Sequence, residues 1–418
     1  MKTVLERFLE YVKFDTQSND STGTHPSTPG QTVFARLLAD EMRKLGVENV
    51  RVSEYAYVFG ELPPTPGMEK VPALGFIAHM DTSDAASGKD VRAQVVEYEG
   101  GVLPLGDSGR SLDPAQFPLL EKVVGHTLVT TGGTTLLGAD DKAGIAEILT
   151  AAEQIIAGGS PHGKICLGFT PDEEIGEGTL HFDVEDFGAD YAYTLDGGAV
   201  HEIEYQNFNA VQATFEIKGR SVHPGTAKGI LLNAQKIAFE LDSMLPPGEV
   251  PERTEKFQGF YHLLRTEGTV GSAKAVYLLR DHDTDAFEKR KETVERITER
   301  LNAKYGPGTV TLTIKEQYRN MEEVLRRHPF LVDIAGQAVR DVGLEPKTVP
   351  IRGGTDGARL SFKGLPCPNL GTGGFNFHGE CEYASVQEME AAVRVVLNIV
   401  AAFCREKFPR TPGRRSAS

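Results

Sequence analysis

Several acids and histidines of this chain are of the types that hold metal ions, and they stand at the ends of apolar stretches. Glu173 and Glu174 are adjacent in Phe169-Thr-Pro-Asp-Glu-Glu-Ile-Gly-Glu-Gly178. His79 and Asp81 close the apolar run Ala73-Leu-Gly-Phe-Ile-Ala78. Asp140 and Asp141 form a pair, Asp196 precedes two glycines, and His378 lies in Gly373-Gly-Phe-Asn-Phe-His-Gly-Glu380. Two imidazoles and several carboxylates suit a two-zinc site with one acid bridging the ions. A spare carboxylate beside them would serve as a base, and the chemistry would be attack of an activated water on an amide.

Each group also has a plainer reading. His-x-Asp can be a capped strand end with a turn-forming acid. If the strand persists, His79 and Asp81 point to one side and Met80 to the other. Asp140 and Asp141 precede a helix, where one acid is commonly a cap and is favoured by the helix dipole. A cap accounts for one of the two. Asp172 adds a third acid to the glutamate pair, and three crowded acids repel one another unless a cation or solvent relieves them. Asp196 reads as a turn residue. Cys381, three residues after His378, reads as an ordinary free thiol, with a metal role as the alternative.

Joint occurrence favours the site. Three expected strands, Val71–Ala78, Lys164–Phe169 and Tyr191–Leu195, each end in one of these acidic groups. Their near-continuous apolar character suits strands buried on both faces of a parallel or mixed sheet. The ends of such strands face a common edge, where open α/β sheets bind ligands. The Asp-Asp pair opens a helix whose apolar positions Ile145, Ile148, Leu149, Ala152, Ile155 and Ile156 recur at three and four, and Gly158 and Gly159 end it. Residues 88–125 are weakly patterned and receive no element.

From Phe208 to Tyr318 the rhythm changes. Strand Val211–Lys218, helix Asn233–Met244, strands Tyr261–Thr269 and Lys274–Arg280, helix Asp285–Lys304 and strand Val310–Ile314 give β-α-β-β-α-β, the ferredoxin-like order. The earlier style then returns. A capping box at Ser385 and Glu388 opens a C-terminal helix striped by Val386, Met389, Val393, Val396, Leu397, Val400 and Phe403. The fold class expected is α/β: a mixed, mostly parallel sheet flanked by helices, in a discontinuous domain of residues 1–207 and 319–418, with an inserted domain at 208–318. The tail Arg405–Ser418, with basic residues, prolines and serines, reads as a frayed end.

Composition sets limits. A chain of 418 residues is too long for one ordinary core. With 40% hydrophobic and 25% charged residues it is globular, not disordered. A net charge of −15 would repel a phosphate backbone, so no nucleic-acid partner is expected. The N-terminus lacks the unbroken apolar core of a signal peptide, and no run approaches the roughly 20 apolar residues of a membrane span. Four scattered cysteines without a C-x-x-C point to a reduced, cytoplasmic setting.

The chain resembles the tripeptide aminopeptidases of the co-catalytic zinc peptidase family, which also includes carboxypeptidase G and the aminoacylases. The resemblance rests on Ile77-Ala-His-Met-Asp-Thr82, Leu137-Gly-Ala-Asp-Asp-Lys-Ala-Gly144, Thr170-Pro-Asp-Glu-Glu-Ile-Gly176, Thr194-Leu-Asp-Gly-Gly198, Gly219-Arg-Ser-Val-His-Pro-Gly225 and Arg352-Gly-Gly-Thr-Asp-Gly357. It implies two Zn²⁺ per subunit. Asp140 would bridge them, His79 and Asp196 would hold one, and Glu174 and His378 the other. Glu173 would be general base and acid, Asp81 would orient His79, and the Asp140–Asp141 peptide would be cis. The inserted domain would act as a lid and as the contact of a homodimer.

The resemblance also assigns His223 to stabilising the oxyanion, and Arg280 and Arg352 to the substrate's C-terminal carboxylate, with Asn376 and Lys142 as weaker suggestions. A tripeptide spans roughly 10 Å at about 3.3–3.6 Å per residue, so an exopeptidase that measures length needs a cation at that distance from the ions. The leading expectation is release of the N-terminal residue from tripeptides. The alternatives are a related two-zinc deacylase or carboxypeptidase, and a non-catalytic binding protein. Mn²⁺ or Co²⁺ could occupy the same ligands.

Overall fold

The computed structural model describes residues 1–405, so the expected tail falls, apart from Arg405, outside the described residues. The chain divides into two compact units. One comprises Met1–Tyr205, Glu323–Val349 and the residues from Thr355 on; the other comprises Gln206–Glu322 with Pro350–Gly354.

The first unit is built on an eight-stranded sheet. Its order is Glu48–Val52, Val58–Leu62, Ile165–Thr170, Leu74–His79, Tyr191–Gly197, Asn369–Gly371, Glu202–Asn207, Lys347–Ile351. The four central strands from Ile165–Thr170 to Asn369–Gly371 run parallel. The outer pairs recorded by Val58–Leu62 and Glu202–Asn207 are antiparallel. Every residue of Leu74–His79 and Ile165–Thr170 is buried, which is why their sequences are apolar throughout instead of alternating. His79 pairs with Thr170, so these two strands end at the same level.

Helices cover the sheet. Ala139–Gly158 packs on Leu74–His79 and carries Val4–Tyr11 and Val386–Arg405 against it. Being covered on most sides, it buries Ala143, Ala146 and Ala151 as well as Ile145, Ile148 and Ile155 of the expected isoleucines, while Ile156, near its end, is exposed. Its backbone is helical only after Asp141. Gly144 lets the helix approach the sheet closely, because a Cβ there would collide with the Leu195 carbonyl. The capping box at the C-terminal helix is half made. Ser385 Oγ accepts from Glu388 N at 3.3 Å, but the Glu388 carboxylate is drawn to Val200 N instead of returning to the cap.

The stretch 88–125 holds short strands. Gln94–Glu97 joins Thr127–Thr130, Tyr383–Ser385 and Gly374–Phe375 in a separate four-stranded sheet. Strands of two to four residues are too short to show a period in sequence. No helix among the described residues is long and apolar enough to cross a membrane.

The second unit follows the β-α-β-β-α-β order. Its antiparallel sheet runs Phe260–Gly268, Ser272–Asp281, Asn209–Lys218, Val310–Tyr318. Helices Ala234–Ser243 and Thr284–Tyr305 bury Ile237, Leu241, Phe287, Val294, Ile297 and Leu301 against Val211, Phe215, Ile217, Tyr277 and Leu279. Buried asparagines tie its two ends. Asn207 Oδ1 accepts from Met321 N at 2.7 Å, and Asn209 Oδ1 accepts from Asn320 N at 3.0 Å.

Candidate metal centre

The parallel strands deliver the chemistry to one edge. His79 is the last residue of its strand, Glu173 and Glu174 lie in the turn after Thr170, and Asp196 is near the end of Tyr191–Gly197. Asp140 comes from the non-helical start of the buried helix, and His378 from the loop before Tyr383.

These side chains converge. His79 Nε2 lies 2.8 Å from Asp140 Oδ1 and 3.3 Å from Asp196 Oδ1. His378 Nε2 lies 3.0 Å from Asp140 Oδ2 and 3.0 Å from Glu174 Oε2. Asp140 thus offers one oxygen to each histidine, each with its own second acid. Ligand atoms of His79, Asp140 and Glu174 fall within 4.8 Å of one another, and so do those of His79, Asp141 and Asp196. Asp141 differs from Asp140 in that both its oxygens are engaged: Oδ2 accepts from His79 N at 3.0 Å and Oδ1 from Gly144 N at 3.2 Å. It caps the helix and anchors the strand end. The peptide between the two aspartates is cis. Cys381 is a free thiol and belongs to neither metal-holding group.

The donor set fits divalent cations. Two imidazole nitrogens and three carboxylates suit zinc or its first-row neighbours, and Glu174 Oε1 is buried without a hydrogen-bond partner among the described residues. Charge points the same way. Burial, with the charge of Asp140, pushes Glu174 up to about 7. Burial lifts Asp196 to about 6 against the pull of His79. Asp140 is held below the usual carboxylate range, because hydrogen bonds from His378 and His79 outweigh its burial. Hydrogen bonds to Asp140 and Glu174 raise His378 to about 11. So many acids in one water-poor place are uncomfortable without cations to pair them.

Glu173 stands apart from the ligands. Its carboxylate takes no hydrogen bond from the described residues, and burial together with the Asp196 charge raises its pKa well above the ordinary value. Asp81, wholly buried, approaches His79 Nδ1 at 3.4 Å, but that nitrogen is nearer the Asp81 carbonyl, at 3.0 Å. The short bonds of the Asp81 carboxylate go elsewhere: Oδ1 accepts from Glu173 N at 2.9 Å and Oδ2 from Glu174 N at 3.1 Å.

Asp172 does not join the crowd of acids. With φ of +56° it turns aside, and its buried carboxylate accepts from Ser27 N, Ser27 Oγ and Gln31 Nε2. The expected three-way repulsion is therefore removed by protein donors. Lys142 is buried, and its Nζ donates to Phe14 O at 2.7 Å. Asn376 Nδ2 donates to Cys381 O at 3.1 Å. Sequence reading passed over Asn369, whose Oδ1 accepts from Asp196 N at 3.0 Å while its Nδ2 donates to Glu204 at 2.6 Å. It also passed over Glu382, four residues after His378, whose spacing from a ligand was its only signal.

Three expected substrate-binding residues belong to the second unit. His223 is exposed, and its Nδ1 accepts from Gly225 N at 3.1 Å, which leaves the proton of a neutral ring on Nε2. Arg280 Nη1 donates to Leu279 O at 3.1 Å and Val211 O at 3.3 Å, with its guanidinium 5.2 Å from the Tyr318 ring centre. Arg352 is held by the carbonyls of Lys256, Gln258 and Thr254 and lies 5.1 Å from the Phe208 ring centre.

Comparison with known proteins gives the family. Residues 136–402 match the model of peptidase family M20/M25/M40. A peptidase T of Clostridium perfringens is 52% identical over 408 residues, covering 97% of this chain and 100% of the relative. The crystal structure of an aminopeptidase PepT from Bacillus cereus superposes with a TM-score of 0.76 at 22% identity, covering 96% of this chain and 98% of that one. The YXEP protein of Bacillus subtilis, a dinuclear metal-binding M20 peptidase, gives a TM-score of 0.64 at 16% identity over 96% of this chain and 97% of that one. By near full-length identity and by the family match, the chain is a peptide hydrolase and belongs to the M20/M25/M40 peptidase family, in its peptidase T branch.

Proposed function

We propose that this enzyme is a two-zinc aminopeptidase that releases the N-terminal residue of tripeptides. The observation that carries the two-ion reading is Asp140, whose two oxygens each face a different histidine. His79, Asp140 and Asp196 would hold one ion, and Glu174, His378 and Asp140 the other. When bound, the ions supply Lewis-acid polarisation of the scissile carbonyl and a water of lowered pKa.

The chain's own residues do the rest. Glu173, unpaired and outside the ligand set, takes the proton of the attacking water and delivers it to the leaving amine. Its raised pKa, from burial and neighbouring acids, is an acid–base poise that cations nearby would lower toward neutrality. Asp81 fixes the backbone that presents Glu173 and Glu174. His223, with Nε2–H free, is suited to donate to the tetrahedral oxyanion. Arg280 and Arg352 would receive the substrate's C-terminal carboxylate.

The tripeptide reading is supported by the peptidase T relatives, and a panel tests it: free tripeptides, N-acetylated tripeptides, dipeptides and acyl amino acids. Free tripeptides should be cleaved at least tenfold better than the others. Preference for blocked peptides or acyl amino acids would replace the reading with a deacylase or carboxypeptidase. Homodimerisation through the second unit is part of the same proposal. Exposed Leu264 on its edge strand Phe260–Gly268 supports it, and sedimentation of the purified protein decides it. The four free cysteines suit a reduced cytoplasm.

A further inference from the structure

We infer that Glu382 is a positioning residue that locks the bridging ligand Asp140 and the ligand His378 into one piece. The inference rests on the two-ion reading above. Glu382 is only 2% exposed, and both its oxygens are spent on one turn of backbone. Oε2 accepts from Leu137 N at 2.7 Å and Gly138 N at 2.9 Å, and Oε1 accepts from Asp140 N at 3.2 Å. Gly138 makes the grip possible. Its φ of +81° is open to glycine and aims successive N–H groups at one anion. The buried Lys142 ammonium lies where it interacts favourably with the Glu382 charge.

Glu382 sits on the far side of a tight loop from His378. Glu382 N donates to Gly379 O at 3.2 Å, and Asn376 Nδ2 closes the loop on Cys381 O at 3.1 Å. The position of His378 is therefore tied to that of Asp140 through four residues and three hydrogen bonds. Asp81 repeats the device on the other side: it follows His79 by two residues and holds the amides of Glu173 and Glu174. Each ligand histidine is thus followed by a buried carboxylate that grips the backbone of an opposing ligand loop. A surface acid or a simple cap would not place all its bonds on the turn that presents the bridging ligand. Outer groups that orient ligands typically govern metal affinity by about 10–100-fold.

The test compares full-length wild type, Glu382→Gln, Glu382→Asp and the control Glu147→Gln after metal removal. Glu147 is a buried acid without hydrogen-bond partners among the described residues, to which no role in the site is assigned. Zn²⁺ binding is measured by calorimetry, the ligand field by Co²⁺ absorption, and folding by thermal unfolding without metal. Glu382→Gln, which presents an amide N–H₂ to backbone donors, should bind Zn²⁺ about 10–100-fold more weakly, show an altered Co²⁺ spectrum and lose kcat with KM changed less than threefold. Glu382→Asp, which keeps the charge but shortens the reach, should fall between Gln and wild type and decides the matter if the Gln variant does not fold. Wild-type Zn²⁺ affinity and Co²⁺ spectrum in a folded Glu382 variant would overturn the inference, whatever its thermal stability. Failure of the wild type to bind two ions would instead overturn the two-ion reading on which it stands.

Discussion

Asp81→Asn is the perturbation that most directly probes how the glutamate turn is held. The side chain is fully buried, and its two oxygens accept from Glu173 N at 2.9 Å and Glu174 N at 3.1 Å. Asparagine keeps the shape but turns one acceptor into a donor that faces a backbone donor. The change removes a hydrogen bond to a charged group, worth about 1.5–3 kcal/mol, and leaves a buried donor unsatisfied at a cost of about 1–3 kcal/mol. Roughly 3–5 kcal/mol is thereby set against the present course of residues 173–174. Even 3 kcal/mol of that, expressed in the site, is about a hundredfold at 1.36 kcal/mol per factor of ten. The assay is kcat and KM on a tripeptide, alongside Zn²⁺ affinity and metal-free thermal unfolding. We expect kcat to fall about a hundredfold, Zn²⁺ affinity to drop by about 10–100-fold and the metal-free protein to melt lower. If turnover and affinity stayed within twofold of wild type, Asp81 would not be holding the turn as argued.

Glu173→Gln should bind two ions as tightly as wild type, because its carboxylate makes none of the ligand contacts, while kcat falls about 10²–10⁴-fold; loss of metal instead would move Glu173 into the ligand set. Glu204, one asparagine removed from the ligand Asp196, gives a pH prediction. Burial raises it from 4.5 to about 8, so the folded state binds the extra proton and stability falls as pH rises from about 4.5 toward 8. At pH 7 this costs up to about 3 kcal/mol. Glu204→Gln, which can still accept from Asn369, should recover much of that at pH 7 and nothing at pH 4 in denaturant unfolding. An equal effect at both values would show that ionisation is not the cause.

The legible part of this molecule is what repeats or clusters in sequence. Continuous apolar runs gave the central strands, since burial on both faces leaves no alternation, and acids at their ends marked the edge. The helix of the inserted unit was readable from Phe287, Val294, Ile297 and Leu301 on one stripe. What stayed hidden depends on contacts between distant residues. Asp172 read as a third crowded acid because its donors Ser27 and Gln31 lie some 140 positions away. Asp141 and Asp140 look alike in sequence, and only the His79 and Gly144 amides separate the anchor from the bridge. Nothing in sequence foretold that the buried Lys142 ammonium would donate to the distant Phe14 carbonyl. Of the short strands within residues 88–125, Gln94–Glu97 is held by its partner Thr127–Thr130, not by a pattern of its own.

Metal content against turnover tests the central claim most directly. The purified enzyme should carry two equivalents of a divalent metal per chain, lose tripeptide hydrolysis on chelation and regain it as the second equivalent of Zn²⁺ is restored. Full activity in protein holding fewer than two equivalents, or turnover that survives complete chelation, would contradict the two-ion account built on Asp140.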